Sequence, residues 1–210
     1  MTRVPSADAA TLSQVLSDAR ERGFLGPGPV QAGIEHARGF AAGVEASPAR
    51  LVDLGSGGGL PGLVLAGVWA EASVVLVEAN TRRSRFLAHA VDALGYGERV
   101  QVLAERAELV GRRAELRSRT DVVVARSFGS PAVTAECAAP LLRVGGRLVV
   151  SEPPDDEGTV RWPPEQLGEL GLEVGPTWRS DFHYQSLRQV AVCPDRYPRR
   201  VGVPAKRPLY

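Results

Sequence analysis

Only two cysteines, Cys137 and Cys193, stand in a chain of 210 residues, and they are far apart. Two thiols at that separation form neither a disulfide framework nor a zinc-ligand spacing, so the sequence reads as a protein of a reducing compartment. Histidine is nearly as scarce. His36, His89 and His183 each stand alone, with no partner at a metal-like spacing. Charge of one sign is missing too: 25 Lys and Arg meet 24 Asp and Glu, a formal net charge of +1. Whole-chain charge therefore exerts no pull toward nucleic acid, and any such contact has to come from a local patch. No apolar run reaches the ~18 residues of a membrane span, and no charged, then apolar, then small-residue leader opens the chain. The expectation is a cytoplasmic protein that uses neither membrane nor metal.

What is present is apolar residues at regular intervals. At 44% of the chain they suffice for one packed core, and 210 residues are too few for two full-sized domains. Residues 9–22 repeat Leu12, Val15, Leu16 and Ala19 at helical spacing. The stretch GPGP at 26–29 then breaks the chain, and a second helix is predicted over 30–44, with Ile34, Ala37, Phe40, Ala41 and Val44 on one face. Beyond Pro48 the period changes. Short Val/Leu runs at 50–54, 73–77, 100–103, 121–125 and 147–151 alternate with helical patterns at 60–69, 81–94 and 131–142, and a last strand is predicted over 188–193. Strands alternating with helices specify an α/β fold, a doubly wound, mostly parallel sheet covered on both faces. The organisation read from this is a helical extension over 1–48, the α/β domain over 49–194, and a basic, proline-containing tail over 195–210. Acidic residues cluster at 152–157 and basic ones from Arg196 to Arg207.

Residues 51–62, LVDLGSGGGLPG, carry the strongest local signal. A strand ends at Asp53 and Leu54, glycines at 55, 57 and 59 allow a sharp turn and close approach of a ligand, and a helix start follows with unpaired N–H groups. A dinucleotide fingerprint needs a small residue where Leu60 stands, and Asp53 would repel a pyrophosphate. An acid just before the glycines suits a ligand with a cationic end, such as the ammonium and sulfonium of S-adenosyl-L-methionine (SAM). A nicotinamide or flavin site is the disfavoured alternative and a purely structural turn the bland one. Glu78 closes the second strand about 20 residues on, where an acid accepts from ribose hydroxyls.

Five stretches then combine: DLGSGGGLPG at 53–62, LVEANTRRSRFL at 76–87, ERAE at 105–108, ARSF at 125–128 and RYPRRVGVPAKRPL at 196–209. Together they resemble the bacterial ribosomal RNA small subunit methyltransferase G family, also called glucose-inhibited division protein B. The resemblance implies the class I SAM-dependent methyltransferase (Rossmann-like) fold and methylation of a guanine N7 in small-subunit (16S) ribosomal RNA, free or in the small ribosomal subunit. It implies cofactor contacts at Gly55, Leu60, Ala107, Glu108 and Arg126, beside Asp53, Ser56, Gly57 and Gly59 of the loop and Glu78. N7 has a free lone pair and no proton to lose, so no catalytic acid or base is expected.

Two departures touch the acceptor side. Glu152 stands where the family has a lysine, and the N-terminal segment keeps only His36 of the family's pattern. A methyltransferase of this fold acting on a small molecule or protein, and a non-catalytic SAM-binding module, are the other readings. Arg199 and Arg200, in a segment that proline should hold extended, are the expected contacts to RNA phosphates. Arg82, Arg83 and Arg85 form a second basic group, and Trp162, Trp178, Phe182 and Tyr184 serve either as core or as a stacking surface for a base.

Overall fold

The computed structural model describes residues 6–153 and 160–210. Most of the acidic cluster at 152–157 lies outside the described residues. Two helices come first, α1 (Ser6–Glu21) and α2 (Val30–Ala42). Then follow β1 (Arg50–Leu54), α3 (Gly62–Val68), β2 (Ser73–Val77), α4 (Thr81–Ala93), β3 (Val100–Leu103), α5 (Ala107–Val110), β4 (Thr120–Ala125), α6 (Pro131–Ala138), β5 (Leu142–Glu152), α7 (Pro164–Gly168), β6 (Leu172–Arg179), β7 (His183–Gln189) and α8 (Val203–Lys206).

The strands form one sheet in the order β3-β2-β1-β4-β5-β7-β6. The strands β1 to β5 pair in parallel, and β7 runs antiparallel to both β5 and β6. Residues 51–54 and 74–77 are buried throughout, as strands covered on both faces are. Because side chains alternate along a strand, Leu51, Val74, Leu76, Val122 and Val124 pack with Leu16, Phe40, Leu63 and Leu87 of the first four helices. Val52, Leu54, Val75, Val77 and Val123 point the other way, onto Val110, Ala135, Leu141 and Leu167. Each fully buried leucine contributes about 1.5–3 kcal/mol through loss of apolar surface from water. The helix after β1 goes to one face and the helix after β4 to the other. The chain therefore divides at the carboxyl ends of these neighbouring strands, where open α/β sheets bind ligands.

Helix α2 is tied to the far edge of the sheet. Trp178 Nε1 donates to the Gly39 carbonyl at 2.9 Å and Tyr184 Oη to the His36 carbonyl at 2.8 Å. A Cβ at Gly39 would lie 2.0 Å from the Tyr184 hydroxyl, so the helix approaches closely through its bare glycine. Trp178 and Tyr184 are thus packing residues; their rings stack on each other with centroids 5.4 Å apart.

The C-terminal third departs from the sequence expectation. The last strand, β7, ends at Gln189, so the predicted strand over 188–193 is displaced toward the N-terminus. Its buried residues include Gln185, Ser186 and Gln189, which leave no apolar run to read. The strand β6 was not predicted. It is a sheet edge exposed along most of its length, and its register shifts between Val174 and Thr177. The proline-bearing tail is not extended either. Tyr197 and Pro204 are buried, and Arg117 donates to the carbonyls of Cys193, Pro194 and Tyr197 at 3.0, 3.1 and 2.8 Å. These bonds fold the segment onto the domain.

Candidate functional site

The glycine loop is pinned from below. The Gly55 and Ser56 N–H groups both donate to the Val77 carbonyl, at 2.9 and 3.0 Å, which ties the end of β1 to the end of β2. Gly57 takes φ +56, a conformation that side chains with a Cβ rarely adopt. Its N–H thereby reaches Glu78 Oε2 at 2.9 Å, while Glu78 Oε1 accepts from the Asn80 N–H at 2.8 Å. Glu78 therefore shapes the loop as well as lining the cleft beside it, and each of its oxygens retains a second lone pair. At Gly55, φ +69, a Cβ would stand 2.7 Å from the Phe128 ring. The loop and the ring after β4 are in direct contact because that position is glycine.

A cleft of about 490 Å³ opens beside the loop, lined by Gly55, Glu78, Ala107, Glu108 and Phe128 among others. A second cavity of about 180 Å³ lies toward α2, with Gly33, His36, Leu60, Arg126 and Phe182 in its wall. Ser127, itself in the wall of the large cleft, joins their linings along the chain. It takes φ +52, strained for a residue with a side chain, and the chain turns there so that Arg126 lines the small cavity and Phe128 the large cleft.

Three polar atoms near this junction are buried without a partner: Asp53 Oδ1, Arg126 Nη1 and His36 Nε2. Asp53 is wholly buried, and its Oδ2 accepts the Gly62 N–H at 3.0 Å from the start of α3. Burial pushes the Asp53 carboxyl up to about 7. Burial, and then the Arg126 charge, pull the His36 imidazole down to about 4, so His36 is neutral at pH 7. The His36 ring stacks on Phe182 with centroids 4.1 Å apart and planes within 3°. Each buried polar group left unpaired costs about 1–3 kcal/mol. Such groups cluster where a polar ligand is to be met.

Comparison with known proteins assigns the chain. The family model for rRNA small subunit methyltransferase G matches residues 39–157. The chain belongs to the ribosomal RNA small subunit methyltransferase G family. The protein of that name from Chloroflexus aggregans is 38% identical over 171 residues, covering 79% of this chain and 71% of that one. Its namesake from Rubrobacter xylanophilus is 40% identical over 172 residues, covering 76% and 65%. The fold is the class I SAM-dependent methyltransferase fold. An O-methyltransferase from Bacillus cereus, solved in complex with SAH, superposes with a TM-score of 0.63 at 16% identity, over 87% of this chain and 91% of that one.

The positions carried over from the methyltransferase G family fall in different places. Gly55, Ala107 and Glu108 line the large cleft; Leu60 and Arg126 line the small cavity. Ser56 is buried beneath the loop, its Oγ donating to the Asp53 carbonyl at 3.1 Å. Gly59 continues the turn with φ +104. Glu108 does not stand free in the cleft: its Oε1 accepts the Gly202 N–H at 2.9 Å. Arg199, expected on phosphate, turns inward. Its Nε and Nη2 sit on the two oxygens of Glu136, at 2.9 and 2.6 Å, and the Glu136 side chain has no exposure at all. Burial of that carboxylate is what holds the guanidinium inside. Arg200 is exposed. Glu152, the anion where the family has a lysine, accepts from Arg161 Nε and from Trp162 Nε1, the latter at 2.6 Å, so its charge is met within the fold. The sequence reading missed Glu136; the only signal was a lone acid in an otherwise apolar helix, AVTAECA.

Proposed function

We propose that this chain transfers the methyl group of SAM to N7 of a guanine in small-subunit ribosomal RNA, in the cytoplasm. The observation that carries the reading is the pair of unpartnered buried groups, Asp53 and Arg126, at the point where β1 and β4 part, in a member of this family. The residues fit the donor. Asp53 suits the cationic ammonium and sulfonium, Arg126 the carboxylate, Glu78 the ribose hydroxyls, and the cleft between Ala107 and Phe128 the adenine. When bound, SAM supplies an electrophilic methyl carbon.

The chain's own contribution is positioning and electrostatics. The loop and Phe128 orient, Arg126 supplies a fixed positive charge and Asp53, once ionised, a negative one, and α2 with Phe182 walls the small cavity. The neutral His36 puts no second positive charge beside a ring that becomes cationic on methylation at N7. No proton leaves N7, so neither a general base nor a metal-activated acceptor is called for. Among the described residues no helix is long and apolar enough to cross a membrane.

Tritiated SAM offered with purified small subunits, free ribosomal RNA and a small-molecule extract tests the proposal. Label in the small-subunit RNA, at a guanine, is the expected result. Label confined to small molecules or protein overturns the acceptor, and binding of SAM with no transfer to anything overturns the activity.

A further inference from the structure

The segment after residue 194 is basic and proline-rich, yet its most committed contacts lead to the walls of the large cleft. One wall is α5. Its Glu108 is 7% exposed and accepts the Gly202 N–H. Gly202 precedes α8, whose Ala205 lines the cleft itself. Arg112, just past α5, donates to the Pro198 carbonyl, and the Pro198 ring lies against Gly111, where a Cβ would meet it at 3.0 Å. The opposite wall is α6. Val133 and Cys137 of that helix line the cleft, and Glu136 between them is the carboxylate that Arg199 neutralises. The Arg199 N–H donates to the same carboxylate at 2.8 Å, so backbone and side chain are held together.

The segment thus spans from one wall of the cleft to the other. Its bonds are of the costly kind to lose, since a buried carboxylate stripped of its partner is left uncompensated. An anchor whose only task was to keep a loose tail on the surface would not need a fully buried anion, and it would not put a side chain into the cleft.

We propose that residues 195–210 form a strap that closes the adenosine end of the donor site. In it Ala205 is a wall residue, and Glu108, Glu136 and Arg199 are positioning residues that set the distance between α5 and α6. The proposal rests on the reading that the large cleft takes the adenosine of SAM. It moves the task of Arg199 from RNA to the donor, and it leaves the exposed Arg200, Lys206 and Arg207 on the outer side of the strap.

The probe is S-adenosylhomocysteine, titrated calorimetrically into the full-length protein without RNA. Ala205→Phe fills the cleft and touches none of the anchoring bonds. It should weaken binding about tenfold or more while the ligand-free protein melts as the parent does. Arg199→Ala should weaken binding by about 10–100-fold, the range for losing a hydrogen bond to a charged group. Arg199→Lys, which keeps the charge and one contact, should recover part of it. The salt dependence of RNA methylation should keep the parent's slope in all three.

If both Ala205→Phe and Arg199→Ala bind the probe as the parent does, the strap is refuted while the donor-site reading stands. Loss of RNA methylation with a flattened salt slope and unchanged probe affinity also refutes it, and returns Arg199 to the RNA. If Arg199→Ala does not fold, Ala205→Phe decides alone. A parent that binds no probe refutes the donor-site reading, and the strap with it.

Discussion

Replacing Asp53 by asparagine is expected to stabilise the ligand-free protein at and above pH 7 while removing most of its affinity for SAM. The carboxyl is wholly buried, and burial is the largest influence on it, raising it from 3.8 to about 7. The Glu78 charge pushes in the same direction; the bond from the Gly62 N–H, the Ser56 hydroxyl nearby and the Arg126 charge oppose it. Each tenfold change in acidity is worth 1.36 kcal/mol. Ionising Asp53 in the folded protein therefore costs about 4 kcal/mol more than ionising it in the unfolded chain. Between about pH 4 and about pH 7 the unfolded chain has released this proton and the native protein has kept it. The unfolded state then binds fewer protons, so stability falls as pH rises through this window and levels off above it. Asparagine has no proton to lose, and its side-chain oxygen still accepts from Gly62.

Donor binding has the opposite dependence. A cationic ligand needs the ionised carboxylate, so SAM affinity should climb about tenfold for each pH step up to about 7 and then flatten. Urea unfolding of parent and Asp53→Asn at several pH values between about 5 and 8 would show the parent losing stability relative to the variant. Calorimetry with SAM over the same range would show the rise only in the parent. Stability curves that stay parallel across the range, or a variant that binds SAM as tightly as the parent at pH 8, would refute the reasoning.

Three further outcomes are expected. Glu78→Ala should weaken SAM binding by about 1–3 kcal/mol, since it removes the acceptor of the Gly57 and Asn80 N–H groups as well as the proposed ribose partner; calorimetry in which Glu78→Ala binds like the parent would take Glu78 out of the site. Gly57→Val should leave the far-ultraviolet circular dichroism unchanged and abolish SAM binding, because a β-branched residue resists φ +56; normal binding would show that the loop has another role. Glu152→Lys, which restores the family's cation, should cost about 3 kcal/mol in thermal unfolding. It places a second positive charge beside Arg161 and strips Trp162 Nε1 of its acceptor; a variant as stable as the parent would mean that this pairing contributes nothing.

These residues also mark how far the sequence could be read. Gly55 and Glu78 line one cleft and the Gly57 N–H reaches Glu78, because the ends of β1 and β2 are neighbours in the sheet, whereas Asp53 is wholly buried against Gly62. The helices α1, α2 and α4 are legible because their apolar period is local. What escapes is pairing at a distance. Arg199 reads as a free cation until Glu136, 63 residues earlier, is found beneath it. Glu152 reads as a reversal of charge until Arg161 and Trp162 are seen to absorb it. A charge in a sequence is only a formal count. Its energy, and its availability to RNA, depend on the partner the fold brings to it, and a buried partner removes it from the surface altogether. The basic face this chain can offer to phosphate is therefore smaller than its arginine count. On the strap the exposed cations are Arg196, Arg200, Lys206 and Arg207, and on α4 Arg82 and Arg85. A test of RNA contact by charge removal should therefore substitute those residues and leave Arg199 in place, since on the proposed strap the loss of Arg199 would act through the donor site and imitate a defect in RNA binding.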